Sequence, residues 1–408
     1  MTSLWITLII VLLTYVGIAL GFLPGLRANR ATIALIGVGF LLLFRQISLK
    51  NIPGFLDIDT LMLLLSMMII NANLRLSGFF RLISARMLRL TRSPRVFLAI
   101  EVLFVGIMSA LFLNDTICVI FTPFLLELLL SIDRDPIPYL IALATSANIG
   151  STATITGNPQ NMIIGTASGI SYLDFALPLL PVAVMGLAVV WGVVILFYPG
   201  EFKRGALGEL TEQPLELNRP LLIKSLVVTG GLLTAFLLGA PVAEASFLAA
   251  CALLFTRRVS PEHVFYEINW GLLAFFAAMF VVTGSLEANG VAGELFRLAG
   301  LSPDTGIWQF SLTTLVLSNL VSNVPAVLLL KPVVMQLHSP TAGWLTLAVA
   351  STLAGNLTLL GSVANLIVAE IAGSARIHMG FWEYTRVGLL VTIVTLAAGI
   401  LWLQFAVW

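Results

Sequence analysis

Apolar residues run almost unbroken through stretches near 4–23, 31–45, 60–74, 173–198, 221–239, 241–256, 269–288 and 383–407. A bilayer core about 30 Å thick takes roughly 20 apolar residues at about 1.5 Å each, so these runs predict membrane-spanning helices. Between them lie two regions, 96–165 and 307–371, that are apolar overall but studded with Asn, Ser, Thr, Gly and Pro. Function is expected in those two interrupted regions.

The two regions repeat each other. Asn114 stands nine residues before Pro123, as Asn323 stands nine before Pro332, an offset of 209. Further on, Thr154, Gly157 and Asn161 align with Thr358, Gly361 and Asn365 at an offset of 204. Each half then enters a long span through an aromatic-acidic step, Tyr172-Leu173-Asp174-Phe175 in one and Trp382-Glu383-Tyr384 in the other. A period this long marks a duplicated unit rather than a solenoid. The predicted fold is an all-α integral membrane protein of two inverted-topology repeats, with about ten membrane helices, two re-entrant hairpins and two broken helices.

The first repeat is expected over 1–198, with a hairpin near 97–131 and a broken helix near 137–165. A cytoplasmic linker, 199–220, leads to the inverted second repeat, 221–408, with its hairpin near 307–332 and broken helix near 343–371. Charge supports the inversion. Placing the basic loop 75–95 inside puts every Lys and Arg on the inner side except Arg45, Lys50, Arg297 and Lys331, the asymmetry of the positive-inside rule. That loop carries Arg75, Arg81, Arg86, Arg89, Arg92 and Arg95 and no acid, interleaved with Phe79, Phe80, Ile83 and Leu88. It reads as an amphipathic helix on the inner surface or a plain positive-inside anchor. Both termini then fall outside.

Composition agrees. Of 408 residues, 59% are hydrophobic and 10% charged, against about 25% charged in a soluble domain. A net charge of +1 gives no basic surface for nucleic acid. The first apolar run is followed by Arg27 and Arg30, not by a cleavage site, and reads as a retained span. The chain is expected in the cell membrane (inner or plasma membrane) as a multi-pass protein whose surroundings are the lipid bilayer. Cys118 and Cys251 lack the paired spacing of a zinc or redox site, and no metal or cofactor is expected.

Irregular backbone at membrane depth is tolerated only where protein or a watery cavity covers it. The first hairpin is expected to turn at Leu113-Asn114-Asp115-Thr116 and the first broken helix to unwind within 146–161, with Asn148, Gly150, Ser151, Thr152, Thr154, Gly157, Asn158 and Asn161 as candidate ligands. The counterparts are Ser322 and Asn323 in the second hairpin, and Gly355, Asn356, Thr358, Gly361, Ser362 and Asn365 in the second break. Half-helices starting there turn N–H groups and a partial positive charge to the midplane. The Asn, Ser and Thr groups would accept from a hydroxylated solute or hold a sodium ion; the plain alternative is close helix packing.

Asp115 is the candidate for proton coupling, because an acid at a hairpin turn within the membrane needs a proton, a cation or a helix end. Glu101, Glu244 and Glu370 are expected near span ends, and Lys331 to snorkel. Cys118 reads as small apolar filler, and the three histidines fall in loops. The core is thus expected to hold an acid and no Arg or Lys. The absence of HExxH, GxSxG and paired membrane aspartates argues against an enzyme.

At these hairpin and unwound-helix motifs the chain resembles the ion transporter superfamily. Asn114-Asp115 with Thr122-Pro123, and Leu360-Gly361-Ser362, resemble its arsenite/antimonite efflux permease branch, whereas Leu113, Asp115 and Val324 depart from the Ser-Asn-Thr hairpins of the dicarboxylate branch. The resemblance implies a transport domain of hairpins and broken helices that alternates access. It also implies efflux of arsenite or antimonite driven by the proton gradient or by a soluble ATPase subunit, from a monomer or homodimer. A core with an acid and no Arg or Lys suits a neutral trihydroxide such as arsenous acid, or a cation, better than a divalent anion. A sodium/proton antiporter, a sulfate or dicarboxylate permease and a passive channel stay open.

Overall fold

The computed structural model describes residues 2–20, 29–87, 91, 93–203, 205, 217–255, 259–290 and 300–408, and among these all regular structure is helical. α1 (Thr2–Leu20), α2 (Arg30–Leu43), a single turn α3 (Ile52–Phe55) and α4 (Ile58–Leu76) come first. The short α5 (Phe79–Met87) leads to α6 (Pro94–Leu111) and α7 (Asn114–Ser131), the arms of a hairpin. α8 (Ile137–Ser151) and α9 (Pro159–Ser168) are the two pieces of a broken helix, followed by α10 (Tyr172–Phe197) and the short α11 (Pro199–Lys203). The second set runs α12 (Arg219–Leu237), α13 (Val242–Leu254), a short α14 (Pro261–Tyr266) and α15 (Trp270–Ala288). It continues with hairpin arms α16 (Ile307–Val321) and α17 (Asn323–Val334), broken-helix pieces α18 (Pro340–Ala354) and α19 (Val363–Ser374), and α20 (Phe381–Ala406).

Each run read as a span is a helix with closely matching ends. Among the described residues seven helices, α4, α6, α7, α10, α12, α15 and α20, are long and apolar enough to cross a membrane by themselves. Large apolar side chains face outward on them, among them Leu180, Val184, Val227, Ile393 and Leu401, the lipid-facing surface such helices need. Caps fix several starts: the side chains of Asn29, Asp57, Ser171, Asn218 and Asn269 each accept an N–H from the first turn of the helix they precede, which satisfies a donor the helix itself cannot.

The basic stretch 75–95 is not one helix. Arg75 closes α4 and pairs with Glu267 at 2.8 Å, Gly78 turns the chain with φ 82°, α5 covers Phe79–Met87, and Pro94 opens α6. A left-handed residue and a proline cut what charge alone joined. Leu88, Arg89 and Arg92 lie outside the described residues.

Packing repeats with the halves exchanged. α2 packs on α15 as α13 packs on α4; α6 on α8 as α16 on α18; α7 on α19 as α17 on α9; and α10 on α8 as α20 on α18. Such reciprocity is what a two-fold relation between duplicated units produces. It brings both hairpins and both broken helices to the middle of the bundle.

Candidate functional site

The first broken helix unwinds over 152–158 and the second over 355–362, and in each half an asparagine one turn further on closes the gap. Asn161 Nδ2 donates to the carbonyls of Ser151 (3.1 Å), Thr152 (3.3 Å) and Thr154 (2.9 Å). Asn365 Nδ2 donates to those of Gly355 (2.7 Å) and Thr358 (3.1 Å). Carbonyls freed by the break would otherwise be stranded without water. The amide groups sit where a cation ligated by these same carbonyls would have to sit. Asn158 and Ser362 then cap α9 and α19 by accepting from Asn161 N (2.9 Å) and Ala364 N (3.3 Å).

The two breaks are tied across the halves by Asn148. Its Nδ2 donates to Asn356 Oδ1 (2.9 Å) and Asn365 Oδ1 (3.0 Å), and its Oδ1 accepts from Asn114 Nδ2 (3.1 Å) and the Ser362 hydroxyl (3.0 Å). The first hairpin tip docks on the first break, with Asn114 N donating to Gly157 O at 3.0 Å. In the second hairpin a single residue, Ser322, joins the arms with φ 79° and ψ 158°, a conformation that residues other than glycine adopt only under strain.

A cavity of about 450 Å³ lies at this meeting point, within the range of small-ligand sites. Six helix N-termini reach it, those of α2, α7, α9, α15, α17 and α19. Asn114, Gln160, Asn323 and Ser362 form a buried floor, and the exposed Asn29, Asn269, Gly271 and Glu370 stand at the rim. Asn323 Oδ1 is buried without a hydrogen-bond partner. Arg30 and Asp115, each in the first turn of its helix, line the same space and feel each other's charge.

Of the expected site residues, Asn114, Asp115, Ser322, Asn323 and Ser362 line the cavity. Asn148, Ser151, Thr152, Asn158, Asn161, Asn356, Thr358 and Asn365 form the hydrogen-bonded support behind it. Thr116 accepts from Asn71 Nδ2 at 3.4 Å, and the Thr154 hydroxyl donates to Ala110 O. Gly150, Gly157 and Gly361 serve close approach: a Cβ on Gly150 would lie 2.2 Å from Gly106 O, on Gly157 2.4 Å from Ser151 O, and on Gly361 2.9 Å from Gly355 O.

Three expectations are corrected. The core holds a cation, because Arg30, read as a charged flank, turns into the cavity. Its place at a helix start is the signal that was available, since a cation there opposes the helix dipole and needs another reason. Glu101 lies in mid-α6, fully buried, rather than at a span end, because α6 starts at Pro94. His263 lies in the short α14, not in a loop, while His338 pairs with Asp304 at 2.7 Å. Gln160 and Glu370 also line the cavity without having been singled out for it. Among the described residues no group of His, Cys, Asp and Glu is placed to hold a metal ion.

A family model described as CitMHS, citrate transporter, matches residues 10–354. The chain belongs to the citrate transporter family. This agrees with the superfamily its hairpin motifs suggested. Relatives of this citrate transporter family member include the silicon efflux transporter LSI3 of Oryza sativa subsp. japonica, 32% identical over 92% of this chain and 93% of the relative. Another is the putative transporter arsB of Dictyostelium discoideum, 25% identical over 92% and 87%. The fold is similar to the crystal structure of the Alcanivorax borkumensis YdaH transporter, with a TM-score of 0.61 at 17% identity over 100% and 98% of the two chains. The citrate transporter family member is thus a multi-pass membrane transporter.

Proposed function

We propose that the chain exports a small, uncharged, polyhydroxylated weak acid, of the type of arsenous, antimonous or silicic acid, in exchange for protons. The cavity carries this reading. Its floor offers amides and a hydroxyl, and six helix starts supply N–H donors suited to hydroxyl oxygens. Among the described residues its fixed charges are one cation, Arg30, and two acids, Asp115 and Glu370. A trianion such as citrate would meet no excess of positive side chains, whereas a neutral hydroxide needs none. Asn323 Oδ1, without a protein partner, is an acceptor for a substrate hydroxyl. The names of two relatives, a silicon efflux transporter and a transporter called arsB, point the same way.

Proton coupling is preferred to sodium coupling because the unwound carbonyls are already engaged by Asn161 and Asn365. Asp115 is the group that takes the proton in this reading, with Arg30 as its alternative partner when the proton leaves. With the basic loop on the inner side, the cavity rim at the starts of α2 and α15 faces the cytoplasm, the loading side for efflux.

Everted vesicles without ATP test this. Arsenite and silicic acid should accumulate when the lumen is acid, collapse with a protonophore, and lose gradient dependence in Asp115→Asn. Movement of citrate or sulfate but not of either hydroxide would overturn the substrate assignment. Transport that needs ATP would replace proton exchange by an ATPase partner.

A further inference from the structure

Among the described residues two buried acids lie outside the cavity, Glu201, which pairs with Arg134, and Glu101. Glu101 lies at the eighth residue of α6 and is fully buried, and neither carboxyl oxygen has a hydrogen-bond partner. An ionisable side chain inside a membrane protein is costly to keep and is retained for function by default. Packing does not call for it. At the offset of 209 that pairs Asn114 with Asn323, the position of Glu101 is held in the other half by Phe310, also buried.

The surroundings of Glu101 lead to one end of the bundle. One turn earlier on α6, Phe97 packs edge-on against Tyr139 of α8, with ring centroids 5.7 Å apart. Tyr139 is fully buried and within the field of Glu101, Glu201 and Arg134. Its hydroxyl donates to Glu201 Oε1 at 3.4 Å, and Glu201 pairs with Arg134 at 3.3 Å. Among the described residues of the other helices packed on α6, α10 carries no ionisable residue between Asp174 and Tyr198, α7 carries Asp115 at the cavity, the buried Cys118 and the exposed Glu127, and α11 adds the exposed Lys203 beside Glu201. Glu101 therefore lies one turn along α6 from the Phe97–Tyr139 contact, without a hydrogen bond to the Tyr139 hydroxyl, and Glu201 and Arg134 lie beyond Tyr139.

We propose that Glu101 is a second proton-binding site of the transport cycle, separate from the solute cavity, which is protonated in this conformation and exchanges its proton through Tyr139 and Glu201 with the end of the bundle that holds Arg134. The step is a proton transfer alone, made when α6 shifts to bring Glu101 within hydrogen-bond reach: the Glu101 O–H bond breaks as a bond to the Tyr139 oxygen forms, and the Tyr139 O–H bond breaks as its proton passes to Glu201 Oε1. The carboxylate left behind is stable only if the surroundings of α6 change, which makes deprotonation report on conformation. This rests on the proton-exchange reading above.

Two measurements test it. Infrared difference spectra of the reconstituted protein, titrated from acid to alkaline pH without substrate, should contain a protonated-carboxyl carbonyl band that Glu101→Gln removes and that shifts or bleaches when arsenite is added. A band that Glu101→Gln leaves intact, or one insensitive to both pH and arsenite, overturns the proposal. In vesicles, arsenite counterflow by Glu101→Gln should persist, while its accumulation ratio should fall by about tenfold per unit of pH gradient, the factor carried by one proton. Unchanged accumulation overturns the proposal. Should Glu101→Gln fold poorly, Glu101→Asp keeps the acid and should retain the band at a shifted frequency. Absence of gradient-driven uptake in the wild type would instead overturn the coupling reading, and the infrared titration would still decide whether Glu101 binds and releases a proton.

Discussion

The Ser362 hydroxyl donates to Asn148 Oδ1 at 3.0 Å across 214 residues of sequence, and the contact recurs with the halves exchanged as Asn158 Nδ2 to Thr352 Oγ1 at 3.3 Å. In both, the cap of one half's short helix reaches the partner half's longer piece at the same repeat position. The two breaks are therefore one structure, and Asn148, with four side-chain partners against the two, Asn158 and Gln160, of its repeat mate Thr352, is its richer half.

Asn148→Ala removes four side-chain hydrogen bonds at once. At about 1 kcal/mol each the loss is roughly 4 kcal/mol, and the thermal midpoint of the purified protein should fall accordingly. An unchanged midpoint would mean that the four bonds do not act together.

Close approach of α6 and α8 makes a second prediction. A Cβ on Gly150 meets Gly106 O at 2.2 Å, whereas one on Gly39 of α2 meets nothing within 4 Å. Gly150→Ala should cost about 1–3 kcal/mol or more by forcing the helices apart, and Gly39→Ala should be neutral. Equal melting curves for the two variants would contradict the packing.

Much of this architecture was legible in the sequence because membrane helices announce themselves by length and apolarity, and because the repeat doubles every signal. Asn161 and Asn365 could be aligned and placed at the breaks, but nothing in their spacing distinguished solute ligands from staples of the backbone. That distinction depends on which carbonyls fall within hydrogen-bond distance of each amide. Arg30 was hidden by its resemblance to an ordinary charged flank, and Glu101 by its place only a turn inside the expected hairpin start near 97, whereas α6 begins earlier, at Pro94. Both are residues whose role is set by a neighbour far away in sequence.

Sodium dependence follows from the same staples. The melting temperature of the wild type should be the same in sodium and choline chloride, since the amide of Asn161 occupies the space among the carbonyls of Ser151, Thr152 and Thr154. Asn161→Ala leaves those oxygens without that donor, at a cost of about 1–3 kcal/mol, and added sodium should then recover part of the loss. A wild type that sodium stabilises would refute this arrangement and favour a sodium-coupled carrier.

Arg30 and Asp115 face one cavity from the first turns of α2 and α7, and their coupling can be measured. Arg30→Gln should weaken arsenite binding by about tenfold, near 1.4 kcal/mol, while Asp115→Asn should chiefly abolish the response to a pH gradient. If the guanidinium balances the carboxylate when the proton leaves, the single losses cannot add, because each variant already strands the other's charge. The double variant Arg30→Gln/Asp115→Asn should then bind arsenite better than the sum of the single changes allows, by about 0.5–3 kcal/mol. Strict additivity in binding would mean that the two charges act independently, and Arg30 would be left as a wall of the cavity with no part in the exchange of proton for solute.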